Sequence, residues 1–325
     1  MNKYHSSKVS IIIVSYNGLH ENTVPCLESI LKKTTYSDHE IIVVDNNSTD
    51  GTQDYLQQLV THYHSLKLVL NKSNRGFAGG NNDGIKVSNG NFLILLNNDT
   101  LVTDGWLEKL LLPLREDKKI GMVGPVSNSV GNEQLIFTKG KTPEEIIDEG
   151  YTWSRMSGGD NFEVGMLGFF CVAMRRELIE IVGSLDENFG LGYFEDDDYC
   201  IRVKNAGYKL VCLEDVFIYH GGGKSFNKQQ KMIHSLLKKN KKLLEAKFNI
   251  RYRPPHPRDR QLDLIESYIG RGKRSGRTPG LTYKIDNRFR LLQEMKPRGI
   301  LKKLKFERRI KYLRNLLEPL NMTYK

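Results

Sequence analysis

The sequence predicts an α/β protein built on a doubly wound, Rossmann-like, mainly parallel sheet, followed by a basic and mainly helical extension. Three observations predict it. Short apolar runs alternate with amphipathic stretches through the first half of the chain, and strands that alternate with helices imply parallel connections. Polar clusters rich in Asn, Asp and Gly follow the apolar runs, at the strand ends where such sheets bind ligands. The charge then reverses. Residues 1–220 carry 20 Lys+Arg against 30 Asp+Glu, a net of −10, and residues 221–325 carry 29 against 8, a net of +21. The reversal falls at Gly221-Gly222-Gly223, which sets expected domains of 1–223 and 224–325.

The elements follow in order. Residues 11–14 read as a buried strand, 24–33 as a helix and 41–44 as a second strand. The turn-rich stretch 45–52 leads into a helix ending near residue 60, and 66–70 is a third strand. Residues 92–96 are a fourth strand, and Asp104 is expected to cap the helix that runs to about residue 114. Residues 120–123 are a fifth strand, whereas 124–164, with Gly, Pro, Ser and Asn, read as irregular loops. Another strand is expected within 165–174, a helix over 196–206, and strands at 208–213 and 216–220. In the extension, Ile233, Leu236, Leu237, Leu244 and Phe248 share a helical face, as do Leu301, Leu304, Ile310, Leu313 and Leu317. Residues 251–260, with three prolines, read as a linker.

Composition removes several function classes. The four cysteines, Cys26, Cys171, Cys200 and Cys212, show no CxxC spacing, which argues against a zinc site or a disulfide scaffold and points to a reducing cytosol. No secretory signal is evident, and no stretch approaches the ~20 apolar residues of a membrane span, so membrane contact is expected to be peripheral. The first strand lacks G-x-G-x-x-G, which disfavours a dinucleotide oxidoreductase. A charge of +21 invites nucleic-acid binding, but the tail carries no recognised motif and the acidic front would repel phosphates. No nucleic-acid partner is expected.

The strand ends hold the chemistry. Ser15-Tyr16-Asn17-Gly18 offers an aromatic ring and an amide suited to holding a base. Asp45 can accept a hydrogen bond from a base imide or a ribose, or can cap the next turn. Asn74-Arg75-Gly76 opens a glycine-rich segment that permits close backbone approach before a helix. Asn97-Asn98-Asp99 drives polar groups into the strand-end crevice. A hard divalent cation wants oxygen ligands, which makes Asp99 the obvious one and leaves Asn98 to meet a ribose or a metal-bound water; an Asx-turn is the alternative. In Glu195-Asp196-Asp197-Asp198 the carboxylates repel one another, and helix geometry lets only one or two point into a site. Asp197 and Asp198 read as helix N-terminal acids, Asp198 paired with Arg202 four residues on. Glu195 or Asp196 is the candidate general base. His220 ends an apolar strand just before the glycine run, as a structural residue or a ligand.

In this order, Val14-Ser15-Tyr16-Asn17, Val44-Asp45-Asn46, Asn74-Arg75-Gly76-Phe77-Ala78-Gly79-Gly80-Asn81, Asn97-Asn98-Asp99, Phe194-Glu195-Asp196 with Asp198 and Arg202, and His220 resemble the family 2 glycosyltransferases. The likeness covers about residues 8–223 and lies nearest the rhamnosyltransferase-like branch. It implies the GT-A fold and an inverting transfer from a nucleoside-diphosphate sugar, dTDP-rhamnose or a UDP-hexose, to a glycan or lipid-linked hydroxyl in bacterial surface polysaccharide synthesis. It implies that Ser15, Tyr16, Asn17, Asp45, Asn74, Gly76, Asn98 and Asp99 hold the nucleotide sugar, that Asp196 is the catalytic base with Glu195 near the acceptor, and that Asp99 and His220 bind a divalent cation, Mg2+ or Mn2+. The loops of 124–164 would then lie on the acceptor side. Asn97 departs from the pattern, standing where many members have the first Asp of the metal motif. A noncatalytic nucleotide-sugar-binding module is the alternative. The basic tail would dock on an anionic membrane surface, pack on the catalytic domain or form a homodimer; the expected location is cytoplasmic, peripheral on the inner face of the cell membrane.

Overall fold

The computed structural model describes residues 8–222 and 230–321. Gly223, which closes the expected glycine run, lies outside the described residues. Strand β1 (Val9–Ser15) is followed by a one-turn π-helical segment and helix α1 (Val24–Lys33). Then come β2 (His39–Asp45), α2 (Thr52–His62), β3 (Leu66–Leu70), α3 (Gly76–Val87) and β4 (Phe92–Asn97). The two-residue β5 (Thr100–Leu101) leads to α4 (Trp106–Glu116), β6 (Ile120–Val126), α5 (Pro143–Ser157), β7 (Asn161–Glu163), β8 (Cys171–Arg175) and α6 (Glu177–Val182). Helix α7 (Glu195–Asn205) precedes β9 (Lys209–Phe217) and β10 (Tyr219–His220). The extension is α8 (Gln230–Phe248), α9 (Pro257–Ser275), α10 (Pro279–Glu294) and α11 (Ile300–Asn321).

The main sheet has the order β3-β2-β1-β4-β8-β6-β9-β7. Strands β1, β2, β3 and β4 run parallel, β8 is antiparallel to both of its neighbours, and β6 pairs parallel with β9. Alternate residues of each strand face opposite cores, as the two-residue period of a strand requires. Ile11, Ile13, Ile41 and Val43 pack with Leu27 of α1, Leu56 of α2 and Trp106 of α4. Ile12, Ile42 and Val44 pack with Ile85 of α3, Trp153 of α5 and Tyr199 of α7. The β10–β5 pair forms a separate two-stranded sheet.

Several expectations need correcting. The cap of α4 is Gly105, at φ 68°, while Asp104 pairs with Lys33 at 2.8 Å and accepts from the Tyr151 hydroxyl at 2.6 Å. The region expected as loops contains α5, started by a capping box between Thr142 and Glu145 with Pro143 in the first turn. The glycines after Arg75 lie inside α3 rather than before it. The strand expected within 165–174 is confined to β8, and β9 runs unbroken to Phe217, where a break was expected. The linker ends early, because Pro257 opens α9 behind a His256 cap. On α11, Ile310 and Leu313 are buried but Leu301 and Leu304 are exposed, so that face is only half used.

The extension packs on the sheet-bearing part. Lys284 and Arg288 of α10, both fully buried, reach the buried Glu214 of β9 at 2.9 and 3.1 Å. Lys284 also pairs with Asp160, and the Tyr268 hydroxyl of α9 hydrogen-bonds Glu214. The Arg288 guanidinium lies over the Trp153 ring, 5.2 Å from its centroid. A small apolar core formed by Leu262, Ile265, Ile285, Leu292, Phe306 and Leu313 joins α9, α10 and α11.

Candidate active site

A cleft of about 610 Å³ opens where β1, β2 and β4 end, a size suited to a small-molecule ligand. Tyr16, Asn46, Asn97, Asn98 and Asp99 line it from the strand ends, Asn74 and Gly76 from the start of α3, and Glu195, Asp196 and Asp197 from the start of α7. Leu237 of α8 also reaches it.

On the β1–β2 side, Tyr16 stands half exposed at the rim. The Asn74 side-chain oxygen accepts from the Gly76 N–H at 2.9 Å, and Asn46 Nδ2 donates to the Gly76 carbonyl at 3.0 Å. Gly76, at φ 70°, is thereby pinned against the 190–191 backbone; an added Cβ would stand 2.1 Å from the Gly190 carbonyl oxygen. Ser15, Asn17 and Asp45 are not among the lining residues. Ser15 shares a hydrogen bond with Thr23 at 2.8 Å, and Asn17 ties its loop to that of β2 by accepting from the Thr49 N–H at 2.8 Å. Asp45 Oδ2 accepts from the Ser48 N–H at 2.9 Å and from Gln53 at 2.8 Å, the turn-capping role foreseen as its alternative. Its Oδ1 is buried without a hydrogen bond.

Asp99 and His220 are brought together by the small sheet, in which His220 pairs with Thr100. His220 Nε2 stands 3.3 Å from Asp99 Oδ1. The imidazole stacks on Phe170, with centroids 5.2 Å apart. Its Nδ1 lies 2.6 Å from the Ser129 carbonyl oxygen. A carbonyl only accepts, so Nδ1 carries the proton and Nε2 is left facing Asp99. Burial pulls this imidazole's pKa down, but the hydrogen bond and charge of Asp99 outweigh it and raise the pKa above the ordinary value. Such a carbonyl-oriented imidazole beside a carboxylate fits a divalent cation in the donor types it offers. Among the described residues, no group of three or more His, Cys, Asp or Glu side chains could hold an ion. Mg2+ and Mn2+ sites of this kind take further oxygens from substrate phosphate and water.

The acidic side is denser than expected. Glu195, Asp196 and Asp197 all border the cleft, because the end of α7 rather than its flank faces it. Glu195 is buried, and that burial, with the neighbouring Asp196 charge, pushes its carboxyl up to about 8. Burial also raises Asp196, against the Asp197 N–H that its Oδ1 accepts at 2.9 Å. Asp197 is raised to about 7 by burial and then by Asp196. Reading Asp197 as a plain helix-end acid is therefore corrected: it accepts from the Tyr252 hydroxyl at 2.7 Å while bordering the cleft. Asp198 behaves as expected, fully buried and 2.8 Å from Arg202. Lys247 meets it as well, at 2.6 Å.

Sequence reasoning missed Phe169, Phe170, Leu191 and Leu237 as wall residues. Nothing but their hydrophobicity marks them, and hydrophobicity alone predicts a core. Arg75, beside Asn74 and Gly76, pairs with Asp83 at 2.9 Å and Glu187 at 2.8 Å. All four cysteines are buried and free.

The family model described as Glycosyl transferase family 2 matches residues 10–183. Glycosyltransferase AglE of Haloferax volcanii is 29% identical over 213 residues, covering 65% of this chain and 66% of its own length. Matches to two further relatives span only 24% and 36% of their lengths. The structure of GalNAc-T7 with UDP, GalNAc and Mn2+ superposes with a TM-score of 0.54 at 17% identity, covering 66% of this chain and 44% of that one. Mannosyltransferase PcManGT from Pyrobaculum calidifontis, in complex with GDP-Man and Mn2+, gives 0.50 at 17% identity over 99% of this chain and 77% of its own. At such identities the structural likeness speaks for the fold, a GT-A-like one. The family model covers more than half of the sequence, and the chain belongs to glycosyl transferase family 2.

Proposed function

We propose that this chain transfers a sugar from a nucleoside diphosphate to an acceptor hydroxyl, with inversion at the anomeric carbon. The observation that carries it is the single cleft shared by Asp99, His220 and Asp196. Tyr16 offers a ring face to the base, and Asn46, Asn74 and Asn98 offer amides to base and ribose. Asp45 acts from behind the wall, holding the turn after β2 through Ser48 and Gln53. Ser15 and Asn17 act by fixing the loop that carries Tyr16.

Asp99 and His220 would hold Mg2+ or Mn2+, which when bound supplies neutralisation of the charge on the departing diphosphate. Asp196 takes the acceptor proton as the acceptor oxygen bonds to the anomeric carbon. The bond from that carbon to the diphosphate breaks, and the nucleoside diphosphate leaves. Burial raises Asp196, which makes its ionised form a stronger base near neutral pH than an ordinary carboxylate. Glu195 stands beside it on the acceptor side.

The donor is dTDP-rhamnose or a UDP-hexose, and the acceptor a glycan or lipid-linked hydroxyl of a surface polysaccharide. A screen of UDP-, dTDP- and GDP-sugars for metal-dependent nucleoside diphosphate release tests the reading. Release with one donor, stimulated by Mn2+ or Mg2+, is expected; no turnover of any donor, with or without acceptor, would count against it.

The same reading places a lipid-linked acceptor at an anionic membrane. No helix among the described residues is long and apolar enough to cross a membrane. The first turns of α11 expose Ile300 (80%), Leu301 (83%) and Leu304 (47%) beside Lys302, Lys303 and Lys305. Apolar side chains ringed by lysines suit an anionic lipid surface. Full-length protein should float with anionic liposomes, and Ile300→Ser with Leu301→Ser should abolish it. Equal flotation of the double variant would remove α11 as the anchor.

A further inference from the structure

The turn that delivers the acidic cluster is strained. Tyr193 and Phe194 adopt φ of 71° and 75°, a left-handed conformation that bulky side chains rarely take. Gly190 and Gly192 beside them also have positive φ. Consecutive residues held this way persist only where surrounding structure over-determines them. Here much of that structure comes from the extension. Asn240 of α8 is fully buried. Its Nδ2 lies 2.7 Å from the Phe189 carbonyl, 2.9 Å from that of Gly192 and 3.0 Å from that of Tyr193. Contact with carbonyls alone fixes the orientation of the amide, since only its nitrogen can donate.

Two further contacts act on the same stretch. Lys247 Nζ stands 2.6 Å from both Asp186 and Asp198, bracketing the turn from either end. Tyr252 donates to Asp197 at 2.7 Å. The Asn240 side-chain oxygen, meanwhile, is buried with no hydrogen bond. A group chosen for packing would be apolar there, as Leu244 one turn later is, because an unsatisfied buried acceptor destabilises. What the amide supplies is therefore geometry for the turn.

We infer that Asn240 is a positioning residue for the transfer: its amide locks the turn 190–194 and so fixes where Glu195 and Asp196 stand in the cleft. This rests on the glycosyl-transfer reading and adds that the C-terminal extension organises the acidic half of the site. The nucleotide half is carried by β1, β2 and β4, so the two halves respond differently to loss of the amide.

The test uses full-length protein with Asn240→Ala, Asn240→Gln and Tyr252→Phe. Binding of UDP, dTDP and GDP with Mn2+ is measured by calorimetry, turnover on the donor the wild type accepts, and amide hydrogen exchange by mass spectrometry. Asn240→Ala should lower kcat by up to about 10²-fold, the scale of a roughly 1 Å misplacement. Nucleotide affinity should stay within about twofold. Exchange should quicken over residues 189–198 and not over the ends of β1 and β2. Asn240→Gln keeps a donor and should recover part of the loss. Tyr252→Phe, which removes one oxygen atom, should lower kcat less without altering nucleotide affinity, and keeps the test open if Asn240→Ala does not fold. A folded Asn240→Ala with wild-type kcat overturns the inference, as does unchanged exchange over 189–198 or an equal fall in kcat and nucleotide affinity. A wild type that turns over no donor would defeat the transfer reading instead, and the exchange result would then decide whether Asn240 holds the turn.

Discussion

Three neighbouring carboxyl groups at the start of α7 cannot all ionise cheaply in one half-dry cleft. Burial raises each of them, and the Asp196 charge further raises Glu195 and Asp197. The consequence for activity and stability has opposite signs. A base must be ionised, so turnover should climb as pH rises through the value of Asp196, which burial lifts above the ordinary carboxylate range. A carboxyl whose folded-state pKa is raised instead favours the folded state when protonated. For Glu195 that contribution is fully present below its unfolded value of 4.5 and is lost as pH rises through about 8. Glu40 runs the other way: Lys67, the Asn89 N–H and Ser10 outweigh its burial and hold it at about 2, so its stabilisation is lost only as pH falls below 4.5 toward that value. The two windows do not overlap. Glu195→Gln should therefore flatten the decline in thermal midpoint between about pH 5 and pH 8, measured by scanning calorimetry. Parallel curves for variant and wild type would contradict the assigned burial of that carboxyl.

Among the elements, the junction between α3 and the 190–191 backbone is tight and lies beside the cleft. A Cβ on Gly76 would meet backbone on an element that cannot retreat without moving Glu195. Gly105 has a similar φ, 68°, but a Cβ there meets nothing within 4 Å. The pair separates conformational cost from collision. Gly105→Ala should cost about 1–2 kcal/mol in urea unfolding, the left-handed penalty alone. Gly76→Ala should cost more than that and lower turnover as well; equal costs would mean the turn is free to move. The same junction explains what the sequence could and could not reveal. The boundaries of α1 and β3 were readable to the residue, because apolar periodicity and flanking turns act locally. Asp99, Asp196 and His220 were legible since each follows or precedes an apolar run at a strand or helix end. Asn240 and Tyr252 were not, because their partners lie 47 to 55 residues away and nothing local marks a buried amide. Helix α5 was hidden differently: its Thr142–Glu145 capping box was present in the sequence, but surrounding Gly, Ser and Asn masked it.

Across the whole molecule, the charge asymmetry has a structural use. The acidic front and basic back meet at Glu214, where Lys284, Arg288 and Tyr268 converge on one fully buried carboxylate. Ions so removed from water stabilise little net but tolerate no missing partner. They therefore fix where α10 sits. Asp198 with Lys247 and Asp197 with Tyr252 repeat the theme beside the cleft. Some of the basic surplus is thus used within the chain, and part of the rest lies on α11, where exposed apolar residues accompany it. The cleft joins both arrangements, with the proposed nucleotide side carried by the parallel strands and the acidic side clasped by the extension. Comparing Asp99→Asn with Asp196→Asn, by calorimetry of Mn2+-dependent nucleotide binding and by donor turnover, tests that division most directly. Asp196→Asn should bind nucleotide as the wild type does and lose roughly 10²–10⁴-fold in kcat, whereas Asp99→Asn should lose the Mn2+-dependent part of binding. Undiminished turnover by Asp196→Asn, or Mn2+-dependent binding unaffected by Asp99→Asn, would contradict the account.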